Sequence, residues 1–421
     1  MNTKASHNKL YNYGALTAFH GFVLLIFLQL YIIIFHGMSS LYDDVYYAIL
    51  LFSSLVIAVK DGVNRVFLNA LVVLLLIMAI SLLGANNIKA STFFFVGRDY
   101  LVPFSLIFIT TSLFKTCRQV DIFIERFYEV WVPIFFVTVI IGLIYPSTNL
   151  AHVHTSLDGP DTLRVASFLT NPNTFGYVLC VLYSIAIQKY LITNEKKHLL
   201  YICILFFLLI LTTSRSTFLL FILITLLAIY LHGNYINFRL FLFAGLLIVF
   251  LVQFISWAQS LGYLGDLIIS RFQIDRLVVD NNRFTLWNNI ISEFECSDCY
   301  KEVIFGHGAT LISRGYQDDW YEPDNYYLKL YLEIGLVGLL VYIAILFYLL
   351  IKSIKYAKFE SKFNNDSGPH FIYPATVLIV AFSGSTATIL DVYPFNYLVF
   401  IIFGLYLSKK SALCKNPSSY R

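Results

Sequence analysis

The sequence predicts an all-α fold, a polytopic transmembrane helical bundle of about 12 spans, and three observations carry that prediction. First, 58% of the 421 residues are hydrophobic and 13% are charged, with a mean hydropathy of +0.73. A water-soluble domain needs a much larger polar share to cover its surface, so the soluble classes are excluded. Second, the apolar residues form continuous runs long enough to cross about 30 Å of hydrocarbon. Strands of a membrane barrel would instead alternate over segments of about ten residues. Third, a single long and largely polar stretch, Ser260 to Asn325, interrupts the apolar pattern.

In chain order the runs fall at 15–36, 42–59, 65–84, 99–114, 128–146, 174–193, 198–213, 216–231, 238–257, 326–351, 370–388 and 391–408. The first is too long for a signal-peptide core and lacks a small-residue cleavage pattern, so it is expected to remain as a span. Neither a repeat nor a low-complexity tract divides the chain. It reads as one integral membrane domain, with nine spans over 1–257, a large loop subdomain over 258–325, and three spans plus a tail over 326–421.

Basic residues flanking spans are retained on the cytoplasmic side. With the N-terminus inside, about two thirds of the 29 Lys and Arg residues fall in cytoplasmic segments. Six of the remainder, Arg271, Arg276, Arg283, Lys301, Arg314 and Lys329, lie in or beside the long loop, where the rule has least force. The expected arrangement is a multi-pass membrane protein with both termini on the cytoplasmic side and the long loop outside. Within that loop, Leu267 to Ile274 and Arg283 to Phe294 carry apolar residues at helical spacing, as short amphipathic helices on a membrane surface do. A smaller outer loop runs from Pro146 to Asn173.

Cys296 and Cys299 form a C-x-x-C in the loop, which an oxidising compartment would close as a local disulfide. No metal site is expected: His152-x-His154 near Asp158 and Asp161, and the Asp318-Asp319 pair, lack a spacing that specifies coordination. No cofactor is expected either.

Three arginines near the outer membrane surface stand out: Arg164, Arg215 and Arg283. Arg215 sits in Leu211-Thr-Thr-Ser-Arg-Ser-Thr217, between two runs so close that the turn joining them must be tight. An arginine at the middle of a span costs at least about 2.5–3.5 kcal/mol, so it calls for an anionic partner, unless the turn lies at headgroup level and the side chain snorkels. Arg164 and Arg283 alone would read equally well as solvated loop charges. Together, three guanidinium groups suit a diphosphate, because each gives bidentate hydrogen bonds and none deprotonates.

From here the motifs reach a family. Arg164-Val-Ala-Ser-Phe-Leu-Thr-Asn-Pro-Asn173, Ser214-Arg215-Ser216, Arg283-x-x-x-Trp287, Gly306-His-Gly308, and Asp324-Asn325-x-Tyr-Leu328 running into Leu332-Glu-Ile-Gly-Leu-Val-Gly338 resemble, in that order, the bacterial O-antigen ligase and polymerase family. The resemblance covers roughly Asp161 to Tyr348 and implies a membrane glycosyltransferase of surface polysaccharide (lipopolysaccharide) biosynthesis. Such an enzyme moves a glycan from an undecaprenyl diphosphate carrier to an acceptor hydroxyl without a nucleotide sugar or metal. Donor and acceptor would both be undecaprenyl-diphosphate-linked oligosaccharides within membrane lipid, with a chain-length regulator protein as a further partner and no nucleic acid.

The resemblance implies that Arg215 and Arg283 hold the donor diphosphate, with Arg164 as a weaker third. In ligases His-Asn usually precedes the helix that follows the long loop; here Asp324-Asn325 stands there. That departure favours the O-antigen polymerase, with Asp324 orienting or deprotonating the acceptor hydroxyl. His307 could replace the missing imidazole, which keeps the ligase, acting on lipid A-core, as the alternative. Asp324 and Asn325 read equally as helix N-caps. Trp287 reads either as a sugar platform or as an interfacial anchor. Glu333 reads as an ion-pair partner of Lys329 one turn earlier, and Gly335 and Gly338 as helix-packing positions. A polysaccharide transporter or flippase is the remaining reading, but few ionisable residues lie mid-span as its pathway would require.

Overall fold

The computed structural model describes residues 39–61, 102–145, 153–154, 164–169, 171–231, 287–292, 300–308, 325–363, 371–385 and 395–415, with isolated helical positions between 19 and 79. The ninth expected span, the loop helix at 267–274, Arg283, Asp324, the two loop cysteines, His152 and the Asp318-Asp319 pair lie outside the described residues.

The architecture is the expected all-helical bundle. Among the described residues the main helices are α1 (Ser39–Asp61), α2 (Val102–Leu113), α3 (Cys117–Ile144), α4 (Pro172–Thr193), α5 (Lys196–Thr212), α6 (Arg215–Leu231), α7 (Tyr300–Phe305), α8 (Tyr326–Phe363), α9 (Ile372–Gly384) and α10 (Phe395–Lys415). Among the described residues three helices are long and apolar enough to cross a membrane, namely Cys117–Ile144, Pro172–Thr193 and Tyr326–Phe359. α3 begins well before the 128–146 expected for it, because Thr116 and Gln119 close a capping box at its start. Those two residues satisfy each other's backbone N–H groups, so the helix can begin in polar surroundings.

α4 is the centre of the bundle. Nearly every residue from Pro172 to Gln188 is buried, in keeping with a helix that is apolar on all sides. It packs against α3, α5, α6 and α9. α1 lies at the periphery against α2, with Phe52, Leu55 and Val59 facing outward as lipid-exposed side chains do. Gly404 of α10 lets Thr110 of α2 approach its backbone, where a Cβ would collide with the threonine side chain.

Polar contacts identify one end of the bundle. Lys189 pairs with Glu125 at 3.0 Å, Lys197 with Glu129 at 3.1 Å and Lys409 with Asp121 at 2.8 Å. Lys358 Nζ donates to Tyr230 Oη at 2.9 Å, and the Ile372 amide donates to Gln188 Oε1 at 3.1 Å. The start of α3, the ends of α4, α6, α8 and α10, and the starts of α5 and α9 therefore share this end. The opposite end gathers the starts of α4, α6, α8 and α10 with the ends of α3, α5 and α9.

Two departures from the sequence reading lie at that opposite end. The Pro146–Asn173 loop contains a two-residue antiparallel ladder, β1 (Val153–His154) with β2 (Arg164–Val165), in the register Val153 to Val165 and His154 to Arg164. Gly335 is not simply a packing position: at φ 67° and ψ −173° it breaks α8 in two. Lys329 and Glu333, just before the break, are 5% and 1% exposed and so do not lie on a solvated helix face.

Candidate functional site

Arg215 is the first residue of α6. Thr213 caps the C-terminus of α5 with a φ of 49° that turns the chain sharply, and α6 starts two residues later. This is the tight turn the sequence required. The arginine is half-buried, with Nη2 wholly inside the protein.

A hydroxyl and amide cluster fixes that turn. The Thr212 hydroxyl accepts from the Ser214 amide at 3.3 Å, and Thr217 Oγ1 donates to the Ser214 carbonyl at 2.9 Å. Ser214 Oγ donates to Asn173 Oδ1 at 3.0 Å and lies 3.2 Å from Ser216 Oγ. Tyr177 Oη donates to Ser216 Oγ at 3.2 Å. On the other side Asn171 caps α4, accepting from the amides of Asn173 at 2.8 Å and Thr174 at 3.4 Å, with Pro172 supplying a preset φ at the first helical position. The N-termini of α4 and α6 thus stand side by side. Gly176 permits this closeness, because a Cβ there would lie 2.7 Å from the Thr217 side chain. Both helix dipoles present their positive ends at this point, beside the fixed charge of Arg215.

Arg164 lies in β2, whose backbone pairs with His154 and which packs against α5. The strand leads within a few residues to the cap of α4, so it belongs to the same end of the bundle.

The second part of the site is the N-terminal half of α8, before its break at Gly335. Asn325 caps it, its Oδ1 accepting from the Leu328 amide at 3.1 Å. The capping role the sequence left open between Asp324 and Asn325 is therefore filled by Asn325. Two pieces of the long loop rest on this half-helix. Residues 287–292 are helical, as the spacing predicted, and Ile290 packs on Leu332 beside Leu328 and Tyr331. Trp287, in the same segment, is half-buried. Gly306 follows the end of α7, and the amides of His307 and Gly308 donate to the carbonyls of Leu332 and Glu333 at 2.8 and 2.9 Å. His307 is half-buried, and burial lowers its pKa below 6.5, partly countered by the Glu302 carboxylate. Its imidazole is therefore neutral at neutral pH.

The structure brings Arg215 to the paired helix starts, and His307, Trp287 and Asn325 to the half-helix. Asn173, Ser214, Ser216 and Tyr177 were not singled out as site residues in the sequence. The signal for them was the Ser-Arg-Ser turn and the Asn-Pro-Asn helix start, two cap motifs whose meeting only the packing of α4 on α6 reveals. Among the described residues no group of three or more His, Cys, Asp or Glu side chains comes together.

The model of the O-antigen ligase family matches residues 200–343, from α5 through the break in α8. The chain is similar to that family over this stretch, about a third of its length. No curated protein matches the chain.

Proposed function

We propose that the chain is an O-antigen polymerase that joins undecaprenyl-diphosphate-linked repeat units at the periplasmic face of the inner membrane, by metal-independent glycosyl transfer. The observation that carries the reading is the place of Arg215, at the meeting of two positive helix ends inside the family-matched region. The Lys-rich end of the bundle then faces the cytoplasm, where basic residues accumulate.

In the reaction the acceptor hydroxyl oxygen attacks the anomeric carbon of the donor sugar. The bond from that carbon to the diphosphate oxygen breaks, and undecaprenyl diphosphate leaves with the electron pair. Arg215 and Arg283 hold the departing diphosphate through bidentate hydrogen bonds, which strengthen as charge builds on it. Arg164 is a third cation for it. Asp324 takes the proton of the acceptor hydroxyl, a role worth about 10²–10⁴-fold in rate. Asn325 holds the helix start behind it, and Trp287 stacks on the sugar. A chain-length regulator is the expected protein partner.

One observation favours the ligase as a second reading. His307, neutral and half-buried, is held by its own backbone on the half-helix that Asn325 begins, which is where an imidazole base would serve. The test is reconstitution of the purified chain with lipid-linked repeat units alone. A polymerase yields a ladder of lengthened glycans on the carrier; a ligase yields none without a lipid A-core acceptor.

A further inference from the structure

In an unbroken helix the carbonyls of Leu332 and Glu333 would accept from the amides of residues 336 and 337. Gly335, at φ 67° and ψ −173°, removes those partners. Carbonyls freed inside a membrane protein must be satisfied by other protein groups. Here the amides of His307 and Gly308, from the long loop, take both places. The replacement requires two glycines. A Cβ on Gly306 would collide with the Glu333 carbonyl and lie 2.5 Å from the Ile334 nitrogen. One on Gly335 would collide with the Ile304 carbonyl and lie 2.5 Å from the Gly306 nitrogen. Both glycines have positive φ, 76° and 67°, where side chains are disfavoured. Each is thus excluded from bearing a side chain by the other's backbone neighbourhood as well as by its own conformation.

We infer that Gly306 and Gly335 are positioning residues, interlocked backbone to backbone so that the long loop seats His307 on the N-terminal half of α8. The Ile290–Leu332 contact seats the Trp287 segment on the same half-helix. Two loop groups proposed to meet substrate are thereby referred to one rigid element that Asn325 begins. Helix α8 supplies the ledge, and its break supplies the carbonyls. This inference rests on the proposed glycosyl transfer for its consequence, and on the backbone geometry alone for its existence.

Amide hydrogen exchange on the full chain in lipid nanodiscs, read with turnover on a lipid-linked oligosaccharide, tests it. In the native protein the amides of His307 and Gly308 are expected to exchange as slowly as those within α8. Gly306→Ala and Gly335→Ala should each accelerate exchange over 305–308 by about tenfold or more, with peptides of α4 and α6 unchanged. Turnover should fall by about 10²-fold, while the KM for the lipid-linked donor stays within about twofold. His307→Ala removes the imidazole but leaves the amide in place, so exchange over 305–308 should be unaltered. Where a glycine variant fails to fold, the native protein still decides, since fast exchange of the His307 and Gly308 amides there would overturn the inference. Unchanged exchange over 305–308 in every folded glycine variant would overturn the inference, as would accelerated exchange with full turnover. If Arg215→Ala were fully active while the glycine variants still lost protection, the transfer reading would fail and the interlock would stand.

Discussion

Ser214 Oγ donates to Asn173 Oδ1 at 3.0 Å, tying the turn that presents Arg215 to the first turn of the central helix. Arg215 itself is one residue further along, so its backbone is fixed by a bond its own side chain does not make. Small displacements of a positioned group are costly in rate, which makes this bond a sensitive point.

Asn173→Ala should therefore reduce polymer formation by about fivefold while leaving the amount of protein in the membrane near normal, because it removes one hydrogen bond worth about 1 kcal/mol. Ser214→Ala removes the same bond from the other side. If the bond is what matters, the double variant should be little worse than either single one, and a double-mutant cycle on turnover measures it.

Arg215→Ala should abolish long chains, and Arg215→Lys should restore them poorly, since an ammonium cannot reproduce the two-pronged geometry of a guanidinium. Glycan length on a gel, at matched membrane protein abundance, is the readout. Full activity of the alanine variant would remove the diphosphate role.

Asn325→Asp should keep α8 intact, because aspartate caps as well as asparagine, whereas Asn325→Ala should cost about 1 kcal/mol of stability. Asp324→Asn should shorten chains severely through loss of the carboxylate base, since Asn325 already fills the cap. Thermal unfolding followed alongside glycan length separates capping from chemistry.

If His307 acts as the base, the acid side of the pH–rate profile reports its protonation. Burial lowers its pKa, so the neutral, active form persists below pH 6.5 and activity should decline only under that value. His307→Gln should remove that limb. A limb that persists unchanged in the glutamine variant assigns it to another group, with Asp324 the first candidate.

The bundle was readable because lipid permits few backbone solutions: uninterrupted apolar runs must be helices, and most described helices fall where those runs do. The tight turn before Arg215 was legible from the few residues between two runs. The Asn173–Ser214 bond was not, since it joins positions from different spans and depends on how α4 and α6 pack. Gly335 misled for a related reason. A glycine followed by another three residues on looks like a packing stripe, and only the arrival of Gly306 from the loop turns it into a break. Asn325 and Asp324 could not be separated by type, because both are good caps and only the bond to the Leu328 amide chooses between them.

The central claim is tested most directly by the lipopolysaccharide of cells lacking the chain, resolved by size on a gel. The polymerase account predicts lipid A-core bearing at most one repeat unit, because a separate ligase still attaches the unpolymerised unit. Bare core, with long polymer accumulating on the undecaprenyl carrier, would contradict it and identify the chain as the ligase.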